Sequence, residues 1–291
     1  MYKLIAIDLD GTLLNSYGQI SEKNRNALNK AKEHNAEIII ASGRTTDSVR
    51  NIANDIGAKG YIICGNGSLI YDLQKEEIIY DKFIDKKKAL QIIEICEQNS
   101  IYYNIYTENM VITKTLNNNV LFYYQENASK PDNKKTKINI VQDIYKYVEE
   151  LENQHILKIT ISDSDSNSII FNGIIRKLRN IKDIDVLDVA HMSRKIIKTG
   201  TEETVIEYYY TEITSKNVDK WYAIEYLMDK LNIQRQEVMA IGDNVNDKMM
   251  IENAGCGVAM GNSAPYIKES ADIVVSNNNE DGVAEVIEQN F

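Results

Sequence analysis

Proline is nearly missing from this chain: there are two in 291 residues, alongside one tryptophan, three histidines and three cysteines. Cys64, Cys96 and Cys256 are odd in number, widely spaced and flanked by apolar residues. They give neither a disulfide framework nor a zinc pattern, and buried thiols are the default. His34, His155 and His191 stand far apart, so surface or cap positions suit them and a histidine metal cluster does not. No apolar run approaches the roughly 20 residues that span a bilayer. Positive charge is also short, since 33 Lys and Arg face 43 Asp and Glu for a net charge of -10. That balance disfavours nucleic acid, because phosphate backbones are bound by basic surfaces. It leaves room for a small phosphorylated substrate, for which one or two local cations suffice. The chain reaches Asp8 and Asp10 too soon for a signal peptide, and a cytoplasmic location is expected.

What is present is an ordinary globular composition, 43% hydrophobic and 26% charged, in a chain long enough for two domains. Its most informative stretch is Leu4-Ile5-Ala6-Ile7-Asp8-Leu9-Asp10-Gly11-Thr12. The apolar run reads as a strand buried on both faces, of the kind found inside a parallel sheet. Open α/β sheets place their chemistry at the carboxyl ends of such strands. Gly11 would let the chain turn so that both acids face one small volume. Alone, two aspartates near a turn read as a solvated loop, and the rest of the chain changes that.

Strand and helix alternate from there. Ser21 can cap a helix from about residue 22 to 34 with Ala27, Leu28 and Ala31 inward. Residues 37–41 form a second buried strand and 61–64 a third, with Val49, Ile52, Ala53 and Ile56 on a helical face between them, ended by Gly57. The end of the chain repeats the theme. Trp221, Ile224, Leu227, Met228 and Leu231 share a helical face, and strands are expected at 237–241, 257–260 and 273–275. Pro265 fits the first turn of a short helix, and a last helix covers about 280–289. This pattern predicts an α/β fold with a Rossmann-like parallel-sheet core made of residues 1–82 and 211–291, built from right-handed βαβ units. The middle, 83–210, has strand-like runs rich in Tyr and Ile, two or three helical patterns, and a polar stretch at 127–137 expected as a solvated loop. It is expected to be an inserted α+β domain.

Four motifs fall at the ends of four predicted core strands: Asp8-x-Asp10, Ser42-Gly43-Arg44, a lysine near Lys220, and Gly242-Asp243-Asn244-Val245-Asn246-Asp247. Strands of one parallel sheet place their carboxyl ends on one edge, so these groups can converge. Together they resemble the haloacid dehalogenase superfamily of phosphotransferases. Within it, the chain is similar to the Cof-type hydrolases, which carry a large α+β cap (C2 type, subtype B) between the second and third motifs. The likeness covers both ends of the chain and is strongest in residues 5–14 and 242–282, including Gly257-Val258-Ala259-Met260-Gly261-Asn262. The middle matches by size and position.

The resemblance implies a Mg²⁺-dependent phosphatase that hydrolyses a small phosphorylated metabolite, a sugar phosphate or nucleotide, through an aspartyl-phosphate. It makes Asp8 the nucleophile and Asp10 the group that protonates the leaving oxygen and later deprotonates water. Ser42 and Lys220 complete the expected catalytic set. Leu9, Ser42, Gly43, Arg44, Lys220 and Asn246 are the expected phosphate and substrate contacts. Asp8, the backbone carbonyl of Asp10, and Asp243 would hold Mg²⁺, a cation that takes hard oxygen ligands. Asp247 either orients waters or Lys220, or ligates directly. Electrostatics points the same way, because a carboxylate attacking a phosphate dianion needs positioned cations to offset the repulsion. Ser42 and Gly43 would also serve a strand-to-helix turn; Arg44 either pairs with substrate or braces the helix; Asn246 either contacts phosphate or caps the helix from Asp247.

In Glu212-Ile213-Thr214-Ser215-Lys216-Asn217-Val218-Asp219-Lys220-Trp221 the family's Glu-Ile, Val and Lys are kept. Asn217 replaces a glycine, which suits a residue common at positive φ. Trp221 replaces a second glycine and alters the expected pocket floor. Lys216 lies a helical turn from Lys220 without the flanking valine. Asn66-Gly67-Ser68 is similar to the family's Asn-Gly-Ala and is expected as a turn near the hinge into the cap. Two other functions stay open: a phosphomutase on the same scaffold, and a non-catalytic phosphate-binding regulatory module. An ion-pump ATPase is excluded, since it lacks a carboxylate where Asp10 stands and needs a membrane domain.

Overall fold

The computed structural model describes residues 2–128, 130–164, 169–187, 191–199 and 202–291, and side chains at 191–199, 202–204 and 206 are outside what is described. The setting of the His191 side chain therefore lies outside the described residues. In chain order the elements are β1 (Leu4–Ile7), α1 (Glu22–Glu33), β2 (Glu37–Ala41), α2 (Thr46–Asp55), β3 (Tyr61–Cys64), β4 (Leu69–Asp72) and β5 (Glu77–Asp81). Then come α3 (Lys86–Gln98), β6 (Tyr102–Thr107), β7 (Met110–Thr113), α4 (Asn118–Ala128), β8 (Lys137–Ile140), α5 (Ile144–Glu150), β9 (Ile156–Asp163), α6 (Ile169–Leu178), β10 (Ile184–Val186), β11 (His191–Thr199) and β12 (Glu202–Ser215). The chain ends with α7 (Lys220–Leu231), β13 (Val238–Gly242), α8 (Lys248–Asn253), β14 (Cys256–Ala259), α9 (Pro265–Lys268), β15 (Ile273–Val274) and α10 (Gly282–Asn290).

Two compact units divide the chain: Met1–Arg44, Val49–Asp81 and Asp219–Phe291 form the first, Thr45–Ser48 and Lys82–Val218 the second. The first is a sheet in the order β15-β14-β13-β1-β2-β3-β4-β5. Strands β15 to β3 along that order are parallel, and β4 and β5 add an antiparallel edge. β1 is central because its four residues are all apolar and all fully buried, which an edge strand could not achieve. Its register is Ile7 against Ile40 on one side and Ile241 on the other, so three strands end level. Strand order reverses around β1, with β2 to one side and β13 to the other, and such a switch point opens a crevice at the carboxyl ends. Helix α1 starts where Ser21 Oγ accepts the Asn24 N–H at 3.0 Å, and it buries Ala27, Leu28 and Ala31.

The second unit is a mixed sheet in the order β10-β12-β9-β6-β7-β8, with β11 paired to β12. Tyr103 and Ile105 of β6 and Ile159 and Ile161 of β9 alternate onto one face, where Ile92 and Ile93 of α3, Val148 of α5 and Phe171 of α6 cover them. Tyr106, the residue after Ile105, joins Val120 and Tyr123 of α4 in a separate cluster.

Two expectations shift at this level. The junction expected at 210/211 falls inside β12, where Thr211 and Ile213 still pair with β9, and the second unit continues to Val218. The stretch 127–137 is not wholly a solvated loop. Asn127 sits in the last turn of α4 and its amide clasps Thr136, accepting the N–H and donating to the C=O, both at 2.8 Å. Asn217 has φ +56, and Trp221 is buried against a core that includes Leu4, Ile63 and Ile224. The three cysteines are free and buried, and among the described residues no helix is long and apolar enough to cross a membrane.

Candidate active site

All of the expected site residues lie in the first unit, at the level carboxyl ends of β1, β2 and β13 and the start of α7. Asp8 follows β1, Ser42 follows β2, Asp243 follows β13, and Lys220 opens α7. Asp219 caps that helix, its Oδ1 accepting the Trp221 N–H at 2.8 Å. A lysine at a helix start opposes the helix dipole, so its charge must be balanced elsewhere.

Two carboxylates supply the balance. Lys220 Nζ donates to Asp8 Oδ1 at 2.5 Å and to Asp247 Oδ1 at 2.6 Å, and all three side chains are buried. Asp247 Oδ2 accepts the backbone N–H groups of Asp243 and Asn244, each at 3.0 Å. Both Asp247 oxygens are thus engaged, Oδ1 with Lys220 and Oδ2 with the backbone after β13. Asp243 Oδ1 accepts from Thr12 Oγ1 at 3.0 Å, and Asn262 Nδ2 bridges Asp243 Oδ2 (3.3 Å) and the Gly11 carbonyl (2.9 Å). Gly11 is required at its position: φ is +89, and a Cβ would stand 2.4 Å from Asp243 Oδ2.

Burial and then the charge of Asp247 push Asp8 up to about 7, against the pull of Lys220. Burial, followed by the charges of Asp8 and Asp247, holds Asp243 well above the ordinary carboxylate range. For Lys220 burial works against the charge, but Asp247 and Asp8 outweigh it and its pKa rises. Asp219 is pushed up to about 6 by burial, only partly offset by the Trp221 N–H and by Lys220. Asp8, Asp243 and Asp247 each offer an oxygen within 4.8 Å of the others. Hard oxygen donors this close, with negative charge that one lysine does not cancel, fit a divalent cation such as Mg²⁺.

Asp10 goes elsewhere. Its carboxylate is held by a fork from Arg44, Nε to Oδ2 and Nη2 to Oδ1, both at 2.8 Å. The Arg44 side chain is only 1% exposed. Neither role expected for Arg44, substrate contact or helix brace, included this partner. Ser42 is buried, and its Oγ accepts the Arg44 N–H at 3.2 Å, which fixes the loop after β2. Leu9 has a fully buried side chain, so only its backbone is at the site. Asn246 is not a helix cap; its Nδ2 donates to Asn66 Oδ1 at 3.1 Å, and Asn244 makes the capping bond instead. Lys216 is exposed beyond β12 and belongs to the second unit.

Sequence reasoning gave no role to Thr12, Asp219 or Asn262. Thr12 and Asn262 both sit in stretches that the motif comparison quoted, and their partner Asp243 is the signal that links them. A family model described as haloacid dehalogenase-like hydrolase matches residues 5–287. Phosphatase YwpJ of Bacillus subtilis is 31% identical, over 98% of both chains. A second relative from that organism, 5-amino-6-(5-phospho-D-ribitylamino)uracil phosphatase YcsE, is 28% identical over 98% of this chain and 94% of its own. Among solved structures, a haloacid dehalogenase-like hydrolase from B. subtilis superposes with a TM-score of 0.80 at 28% identity, covering 99% of this chain and 100% of the other. Sheet order, site and whole-length similarity agree: the chain belongs to the haloacid dehalogenase-like hydrolases.

Proposed function

We propose that this phosphatase of the haloacid dehalogenase-like family hydrolyses a small phosphorylated metabolite, of the sugar-phosphate or nucleotide class, by passing the phosphoryl group through Asp8 with Mg²⁺ as its cation. The observation that carries the reading is the pairing of two unlike aspartates: Asp8 buried and held by Lys220, Asp10 part-exposed and held by Arg44. Lys220 occupies Asp8 Oδ1, and Oδ2 is the oxygen that attacks phosphorus. As the ester P–O bond breaks, Asp10, protonated with one oxygen released from the Arg44 fork, gives its proton to the leaving oxygen. A water then attacks the phosphorus of the aspartyl-phosphate, Asp10 takes the proton from it, and inorganic phosphate leaves with Asp8 restored. The Ser42 hydroxyl, the Gly43 N–H, Lys220 and Asn246 hold the phosphoryl oxygens, with charge placed where it develops. Mg²⁺, held by Asp8, Asp243 and the Asp10 backbone carbonyl, would supply positive charge against the phosphate dianion. Asp247 keeps Lys220 and the Asp243 backbone in place.

The relative named for a phosphoribityl compound supports a phosphorylated polyol or sugar as the substrate class. Three free cysteines suit action in the reducing cytoplasm. The test is hydrolysis of p-nitrophenyl phosphate with Mg²⁺, which Asp8→Asn abolishes. Full activity in Asp8→Asn, or no activity of the wild type across a broad panel of phosphate esters, overturns the reading.

A further inference from the structure

Three residues in a row after β3 are left-handed: Gly65 at φ +57, Asn66 at +60 and Gly67 at +99. Glycine enters that region freely, while asparagine does so at some cost. Strain of this kind persists where surrounding structure enforces it, and here the enforcing partners are the phosphate-holding elements. The Gly65 N–H donates to the Arg44 carbonyl at 3.1 Å and the Asn66 N–H to the Ser42 carbonyl at 3.0 Å. Gly67 lies against the start of α7, so close that a Cβ would stand 2.2 Å from the Asp219 carbonyl oxygen. The Asn66 side chain, 6% exposed, reaches a fourth element by accepting from Asn246 Nδ2. That bond is the one hydrogen bond the Asn246 side chain makes among the described residues.

An asparagine amide can present either its oxygen or its nitrogen in a given direction. Facing a phosphoryl group, nitrogen attracts and oxygen repels. With Asn66 presenting its carbonyl oxygen, the Asn246 amide meets it through Nδ2 rather than Oδ1, leaving the second N–H for the phosphoryl oxygens. We infer that Asn66 is a positioning residue: held left-handed by its two glycines, it locks the Asn246 amide with its donor toward the substrate phosphate. The inference rests on the phosphatase reading in that Asn246 meets phosphate there.

Asn66→Gly tests it cleanly, because glycine accepts the left-handed backbone and only the amide is lost. The expected result is about a tenfold fall in kcat/KM, the net worth of one hydrogen bond, with a matching loss of affinity for inorganic phosphate by calorimetry. Thermal stability should move little. The decisive comparison is a double-variant cycle with Asn246→Ala. If Asn66 acts through Asn246, the double variant equals Asn246→Ala within about twofold. Asn66→Gly within about twofold of wild type in both readouts, or losses that multiply in the double variant, overturns the inference. Those outcomes are separate from failure of the phosphatase reading, which would appear as a wild type without turnover or an active Asp8→Asn; phosphate affinity still decides the role of Asn66 there.

Discussion

Lys220→Met removes the one cation between two buried carboxylates while keeping most of the apolar stem of the side chain. At an effective dielectric near 20, charges about 3 Å apart attract by roughly 5 kcal/mol, so the two contacts amount to about 10 kcal/mol before desolvation. Most of that is cancelled by the cost of burying the charges, and losing one partner of such a pair nets about 3–5 kcal/mol. For a unit of this size that is a fall of about 6–20 °C in Tm. The loss should depend on pH. Asp8 titrates near 7 in the folded protein against an ordinary 3.8. Between those values the folded state holds a proton that the unfolded state lacks, so stability falls as pH rises through the window. Without Lys220 the charge that pulls Asp8 down is gone and the penalty at high pH grows, while at pH 5 Asp8 is protonated with or without the lysine. Urea unfolding without divalent ions, at pH 5 and pH 8, measures both, and the sole tryptophan, buried Trp221, is the fluorescent reporter. The full loss is expected at pH 8 and a clearly smaller one at pH 5. Equal losses at the two pH values, or a loss below about 1 kcal/mol at pH 8, would refute the electrostatic account of the cluster.

Three further outcomes follow from the same geometry. Mg²⁺ should raise Tm at pH 8 and far less at pH 5, where Asp8 holds a proton; at 1,000 times its Kd the gain is about 4 kcal/mol. Scanning calorimetry with and without a chelator reads this directly. Thr12→Val removes the hydroxyl from Asp243 and should raise the Mg²⁺ concentration for half-maximal activity about tenfold, as loss of a bond behind a ligand does. Arg44→Lys keeps the charge but not the two-pronged grip on Asp10, and steady-state kinetics should show kcat down about 10–100-fold with KM changed much less.

The central strands were legible because burial on both faces leaves a plain signature, and residues 37–41 and 61–64 are strands over the expected spans. β13 starts one residue later than expected, at Val238, because Glu237 turns back to accept the Gln234 N–H. No punctuation marks the join at 210/211, since β12 passes through it as one continuous ladder. The Asn127–Thr136 clasp turns apparently solvated chain into a closed loop, and a polar composition cannot reveal a side chain bonding backbone nine residues away. At the site, residue types announced the aspartates and Lys220, but their partners were hidden. Arg44 and Asp10 are 34 residues apart and Asn66 and Asn246 are 180, distances bridged only by the fold. Trp221, read as a change to the pocket floor, joins the core with Ile224 and Leu227, as the spacing of that helical face also said.

The central position of β1 has a cost in time. Its partner β13 and the balancing Lys220 lie at the far end of the chain, Lys220 being 212 residues after Asp8. At about 5–20 residues per second, a ribosome needs on the order of 10–40 s to span that interval. Throughout it, the most apolar strand of the core has one open edge, the situation that invites pairing with another chain. Birth order therefore runs against assembly order: the first strand made is among the last to be completed. Truncation anywhere before β13 yields a chain with an orphaned central strand and no balanced acid cluster, which should be sticky as well as inactive.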